Sequence, residues 1–108
     1  KKIEWPFLGV QMINVQDANN AYRNNYNIPD NVNSGVIVAK VIDGGAAAKG
    51  NLKTGDIITK INGVSVSDSA YLRYELYKSS VGDKIEITYL RDNKEHTTKV
   101  TLTKNNSD

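Results

Sequence analysis

In a chain with one histidine and no cysteine, the two chemistries to weigh first are hydrolysis built around that histidine and binding through backbone groups. His96 stands in Lys94-Glu95-His96-Thr97, on a stretch that reads as an exposed hairpin, with no serine or threonine nucleophile at a suggestive spacing. Nucleophilic hydrolysis needs a base held against its nucleophile. A lone histidine among scattered carboxylates does not make a metal site either. Asp43, Asp56 and Asp83 each adjoin a glycine, which turn formation explains. Catalytic, metal and cofactor chemistry are therefore not expected. Binding is a different matter. In Phe7-Leu8-Gly9-Val10-Gln11-Met12, alternation turns Leu8, Val10 and Met12 to one side and Gln11 to the other. Gly9 sits where a side chain would obstruct a close backbone approach. A turn entering such a strand can aim several N–H groups into one concavity, and a peptide carboxylate is a common guest there. An open strand edge would let an extended peptide continue as an added strand.

A second wall must face that strand. Asp68 reads as an N-cap, because its short carboxylate accepts the first free helical N–H groups. The helix it opens is expected from Ser69 to about Ser79, with Leu72 and Leu76 as a narrow apolar stripe flanked by Ser69, Arg73, Tyr77 and Ser80. Ser69, Arg73, Leu76 and Tyr77 lie on one helix edge and so can face a strand across a groove. Between the two walls come Gly35–Val41, a buried β-branched strand, and one helical turn over Ala46–Lys49, ended by Gly50 as a residue tolerant of positive φ. Ile57–Ile61 and Val64–Val66 are strands joined at Asn62-Gly63. Lys84–Arg91 and Glu95–Thr103 form a final hairpin turned at Asp92–Lys94. The fold expected is α+β, mainly β: a small antiparallel barrel or sandwich of five to six strands capped by two helices.

The whole chain, 108 residues with 39% apolar content, suits one domain with one core. Residues 1–6 read as a linker edge, 7–103 as the domain and 104–108 as a flexible polar tail. Asp17–Asn33, rich in asparagine and tyrosine, reads as a short helix or irregular excursion around Ala18–Asn25 followed by loop, an insertion on the surface preferred to a binding loop. No apolar run approaches membrane-spanning length, and the opening residues do not resemble a signal peptide. A net charge of +2 with no Lys/Arg run, and tyrosines that do not alternate along a basic sheet face, point away from nucleic acid.

These residues resemble a known family. Phe7-Leu8-Gly9-Val10 is similar to the carboxylate-binding loop of PDZ domains. The run Gly44–Ile58 is similar to the Gly-Ser-Pro-Ala-Ala…Gly-Leu-Lys-x-Gly-Asp-x-Ile signature of bacterial PDZ domains, and Ile61-Asn62-Gly63, the Leu72/Leu76 helix and Val81-Gly82-Asp83 follow at that family's spacing. The likeness covers Phe7 to about Thr103 and is greatest to the PDZ domain of HtrA (DegP-like) serine proteases, particularly those of Gram-positive bacteria. It departs at Ala46, where the family has proline, at Gly50-Asn51, where it has Ala-Gly, and at Phe7, often tyrosine.

The resemblance implies a peptide-binding module whose Leu8, Gly9 and Val10 N–H groups take a terminal carboxylate. Leu8, Val10 and Leu76 would take the last side chain, and Met12 with Ser69 and Arg73 would meet residues further upstream. From the residues alone, core packing is the better reading of Leu8, Val10 and Leu76; the resemblance reverses that order. For Arg73 a solvated charge and a groove contact both stand, and Tyr77 is rim rather than anchor. The partners implied are hydrophobic C-terminal peptides or misfolded segments, together with the chain's own protease domain. The isolated domain is expected to be monomeric and no enzyme. Its parent is expected to be a membrane-anchored, extracytoplasmic serine endopeptidase of protein quality control. The alternative is an inter-domain or oligomer module whose groove is unused or occluded.

Overall fold

The central strand explains the sheet. In the computed structural model, which describes residues 6–26 and 28–104, β3 (Val36–Val41) opens with three buried residues that point alternately to two different cores. Val36 and Val38 join Leu8, Ile58, Ile61, Leu72, Leu76, Ile85 and Ile87 on one face. Ile37 joins Val15, Ile28, Val32 and Ile57 on the other. A strand covered on both faces reads as an unbroken apolar run, and Val36-Ile37-Val38 is one.

Around it an antiparallel sheet runs in the order β2 (Val10–Asn14), β3, β4 (Ile57–Ile61), β6 (Lys84–Arg91), β7 (Lys94–Thr101), with the short β5 (Val64–Ser65) on β4. Both hairpin turns use residues that tolerate positive φ: Asn62 (51°) with Gly63 (80°), and Asp92 (55°) with Asn93 (61°). The helices are α1 (Asn20–Asn25), α2 (Ala46–Lys49) and α3 (Ser69–Leu76). The architecture is the expected α+β, mainly β fold, with two capping helices and α1 within the Ala18–Asn25 stretch where a short helix or irregular excursion is expected.

Several details differ from expectation. Pro6 and Lys104, assigned to the linker and the tail, pair with each other. β1 (Pro6–Phe7) and β8 (Thr103–Lys104) form a separate two-stranded ladder. The remainder of both segments, Lys1–Trp5 and 105–108, lies outside the described residues, as does Asn27. The 17–33 excursion is anchored to the domain, although α1 itself buries no residue. Its Ile28 and Val32 are buried in the second core, and Arg23 donates to the carbonyls of Pro29 (2.7 Å) and Val32 (2.8 Å), fastening α1 to the turn that follows.

Gly50 does not carry the positive φ at the end of α2; it has φ −87°, and the left-handed residue is Asn51 at 66°. Glycine is needed at 50 for space, because a Cβ there would come 2.3 Å from Val100 Cγ1. Finally, α3 ends at Leu76 rather than near Ser79. The next N–H groups tighten, Lys78 to the Glu75 carbonyl and Ser79 to the Leu76 carbonyl, so the chain leaves through three-residue turns.

One ion pair with a buried carboxylate joins the start of β4 to the end of β6. Asp56, 2% exposed, accepts from Arg91 Nε (2.9 Å), from Arg91 NH2 (2.7 Å) and from the Lys53 N–H (2.8 Å), while Arg91 also reaches the Asn51 carbonyl. The hydrogen bond to Asp56 raises the Arg91 pKa further above its already high value.

Candidate functional site

The Leu8–Val10 segment is held from behind by its carbonyls. Thr103 Oγ1 donates to the Phe7 carbonyl (3.4 Å), the Ala47 N–H to the Leu8 carbonyl (2.8 Å) and the Ile42 N–H to the Gly9 carbonyl (2.8 Å). All described peptide bonds are trans. In a trans peptide the N–H points opposite to its C=O, so the N–H groups of Leu8, Gly9 and Val10 turn away from the frame. Among the described residues, neither the Leu8 nor the Gly9 N–H has a backbone acceptor. Gly9 makes this turn at φ +84°, and a Cβ on it would lie 3.1 Å from Gly45 Cα. The close approach that requires glycine is therefore the chain's own Gly45, behind the loop, and not a guest in front of it.

The strand continues the same orientation. The bonds Ile42 N–H to Gly9 C=O and Val15 N–H to Gly35 C=O flank the pairs Val10–Val41 and Asn14–Val36. Those pairs are therefore of the non-hydrogen-bonded kind, and the backbone groups of Val10 and Asn14 face away from β3. β2 is an edge of the sheet, so these groups form an open ladder.

Opposite that ladder stands α3. Asp68 caps it, accepting from the Tyr71 N–H (3.0 Å), as the sequence predicts. Its first turn is tied to the strand, since the Ser69 N–H donates to Asn14 Oδ1 (2.7 Å). Between the two runs a groove of about 380 Å³. Its strand wall includes Phe7, Leu8, Gly9, Val10 and Met12, and its helix wall Arg73, Leu76 and Tyr77. Eight of the nine residues singled out from sequence thus share one groove. The ninth, Ser69, lies beyond its upstream end with its N–H taken by Asn14. Pro6 and Leu72 also line the groove. Leu72 was legible as part of the helix stripe; Pro6 was read as linker, and no local pattern marked it.

Leu8 and Leu76 are only 3% and 5% exposed and belong to the main core. Core residue and groove floor are the same thing here. Val10 and Met12 are half-buried, Arg73 and Tyr77 exposed. Elsewhere, His96 is an exposed strand residue stacked on Tyr89, ring centroids 5.6 Å apart. No group of three or more His, Cys, Asp or Glu able to hold a metal occurs among the described residues. A second cavity of about 280 Å³, between Tyr26, Pro29 and the β6–β7 turn, is lined by Asp56 and Arg91, whose charges already satisfy one another.

The family profile described as PDZ domain matches residues 6–102. The chain belongs to the PDZ domain family. Among known proteins this PDZ domain is 36% identical over 107 residues to the serine protease Do-like HtrA of Lactococcus lactis subsp. lactis, covering 99% of this chain and 26% of that protein. It is 42% identical over 106 residues to the serine protease Do-like HtrB of Bacillus subtilis, covering 95% of this chain and 23% of that protein. A relative in Haemophilus influenzae, 43% identical over 68 residues covering 63% of this chain and 15% of that one, is named a probable periplasmic serine protease. The chain thus spans about a quarter of the length of the first two relatives. Among solved structures, the HtrA3 PDZ domain bound to a phage-derived ligand (FGRWV) superimposes with a TM-score of 0.78 at 23% identity, covering 95% of this chain and 90% of that one. That identity establishes a shared fold.

Proposed function

We propose that this PDZ domain captures extended peptides that end in a free carboxylate after an apolar residue such as Val, Leu or Ile, adding them as a strand to β2. The observation that carries the reading is the outward set of the Leu8, Gly9 and Val10 N–H groups at the head of an open β2 edge facing α3. Backbone donors fixed in place suit a carboxylate. Leu8, Val10 and Leu76 form the floor for the last side chain, with Phe7 beside it and Tyr77 at the rim. Met12 and Arg73 face the preceding residues, and the Ser69 hydroxyl stands at the upstream end.

The likeness to HtrA-type proteases supports a further step. The domain serves a serine endopeptidase whose catalytic part lies outside this chain, presenting or sensing exposed chain ends for protein quality control. Its place is outside the cytoplasm, in a membrane-anchored parent, and the domain alone is a monomer that does not cleave protein. Calorimetric titration with a Val-ending peptide as free acid and as C-terminal amide tests the site. The free acid is expected to bind with a dissociation constant on the order of micromolar or weaker, and the amide to lose most of that affinity. Equal affinities would remove the Leu8–Val10 donors from the site.

A further inference from the structure

The sheet has a second edge, formed by β7 at the end opposite β2. Arg91 and Lys94 close the two-residue turn of the last hairpin, so this pair exchanges both of its backbone hydrogen bonds. The pairing runs from there to Thr101 without a register shift, and one residue further the Leu102 N–H donates to the Asp83 carbonyl (2.9 Å). The backbone groups of Lys94, His96, Thr98 and Val100 therefore turn toward β6. Those of Glu95, Thr97, Lys99 and Thr101 turn outward, and among the described residues no backbone group meets them. All four residues are exposed. On the other face, Val100 is buried and the Thr98 hydroxyl donates to the Gly50 carbonyl (2.9 Å).

An open edge of this kind is commonly guarded by charge, lysine above all. Here the charges have a pattern. Glu95 and Lys99 stand two residues on either side of Thr97, and all three side chains share one face of the strand. Glu86 lies opposite Lys99 on β6, yet neither Glu95 nor Lys99 joins an ion pair with a described residue. A second β7 laid antiparallel, Thr97 opposite Thr97, sets each Glu95 opposite the other strand's Lys99. The outward backbone groups meet in that same arrangement. Sliding one strand by two residues puts Glu95 opposite a threonine. Sliding it by four puts Lys99 on Lys99 or Glu95 on Glu95. The edge is thus complementary to itself in one register.

We infer that β7 is a docking edge for a second copy of this chain, paired antiparallel about Thr97, with the Glu95–Lys99 contact made twice by the two-fold symmetry. Opposite charges and paired threonines across strands both favour this register. β2 stays free at the far end of each sheet, so both grooves remain open and lie on one continuous sheet. A contact of two strands is smaller than a stable interface needs. The isolated domain is therefore a monomer at micromolar concentration, with a dissociation constant for pairing on the order of a millimolar.

The test is a dilution series of the domain from about 2 mM to about 0.05 mM, spanning that constant, followed by amide NMR spectra. Concentration-dependent shifts are expected along Glu95–Thr101 and not along Leu8–Met12. Glu95→Lys and Lys99→Glu each set like charges opposite one another, and each variant alone should pair at least about fivefold more weakly. An equal mixture of the two restores opposite charges at both positions and should pair within about twofold of the unaltered chain, a recovery that a misfolded variant could not give. Spectra that do not change with concentration, shifts centred on another face, or a mixture that pairs no better than its components would each overturn the β7 assignment.

Discussion

Replacing Gly9 by alanine separates two reasons for a glycine, because the fold contains a matched control. Gly9 (φ +84°) and Gly82 (φ +94°) occupy similar backbone conformations, yet a Cβ on Gly82 meets nothing within 4 Å while one on Gly9 would lie 3.1 Å from Gly45 Cα and 3.6 Å from the Ala46 nitrogen. Alanine at either position takes on the left-handed conformation, at a cost of about 1–2 kcal/mol. At Gly9 the contact is with backbone pinned by the Ala47-to-Leu8 bond, so relief requires moving the loop. Overpacking of that kind adds about 1–3 kcal/mol. Gly82→Ala should therefore lose about 1–2 kcal/mol and Gly9→Ala about 2–5 kcal/mol. A domain of this size loses about 4–8 °C in Tm per kcal/mol, so Gly9→Ala should melt at least about 4 °C below Gly82→Ala. Thermal unfolding followed by circular dichroism measures both. The same displacement shifts the Gly9 and Val10 N–H groups, so the acid-over-amide preference should shrink in Gly9→Ala at a temperature where it is folded, and stay intact in Gly82→Ala. If Gly9→Ala melts with Gly82→Ala, the contact with Gly45 does not constrain the loop and the argument fails.

Three further outcomes are expected. Gly50→Ala should destabilise by about 1–3 kcal/mol through the collision with Val100, and Val100→Ala in the same chain should recover part of that loss; strictly additive losses in a denaturant double-mutant cycle would contradict it. Ile28→Ala should cost about 2–5 kcal/mol in urea unfolding because it opens the second core, whereas a change below about 0.5 kcal/mol would return the 17–33 segment to the status of surface decoration. Arg91→Ala should cost about 3–5 kcal/mol by stranding the buried Asp56 carboxylate; Arg91→Lys should restore only part of this, since an ammonium cannot hold both Asp56 oxygens in a bidentate fork.

What the sequence disclosed and what it hid divide by range. The Asn62-Gly63 and Asp92-Asn93 turns, the Asp68 cap and the Leu72/Leu76 stripe are set by neighbours within a few residues, and each was legible. Pairing of Pro6 with Lys104 joins the two ends of the domain through two-residue strands too short to show a period. Gly50 looked like a helix terminator because local rules place glycine there, but its reason is Val100, fifty residues away. The anchoring of the excursion was hidden for the same cause. Ile28 and Val32 are isolated apolar residues among asparagines, and their partners, Val15, Ile37 and Ile57, come together with them only in the fold. At the candidate site, Leu8–Gly9–Val10 was singled out by its strand alternation and its glycine, yet the close approach of Gly9 to Gly45 could not be read without the fold.

The near-complete burial of Leu8 and Leu76 sets the strength the groove can reach. Because both are already in the core, a ligand side chain settling on them removes mainly its own apolar surface from water, about 1.5–3 kcal/mol for a Val or Leu. Each charge-assisted N–H bond to the carboxylate is worth about 1.5–3 kcal/mol, and the β2 ladder adds main-chain bonds of about 0.5–1.5 kcal/mol each. Lost translational freedom and the ordering of a flexible chain oppose these by several kcal/mol. If the proposed capture holds, the carboxylate donors are the largest favourable contribution, and the difference left over corresponds to a weak, rapidly reversing complex. Such a balance makes discrimination depend on having a chain end at all, with the side chains refining it. On the reading proposed above, a module built this way would sample many exposed termini and release each one.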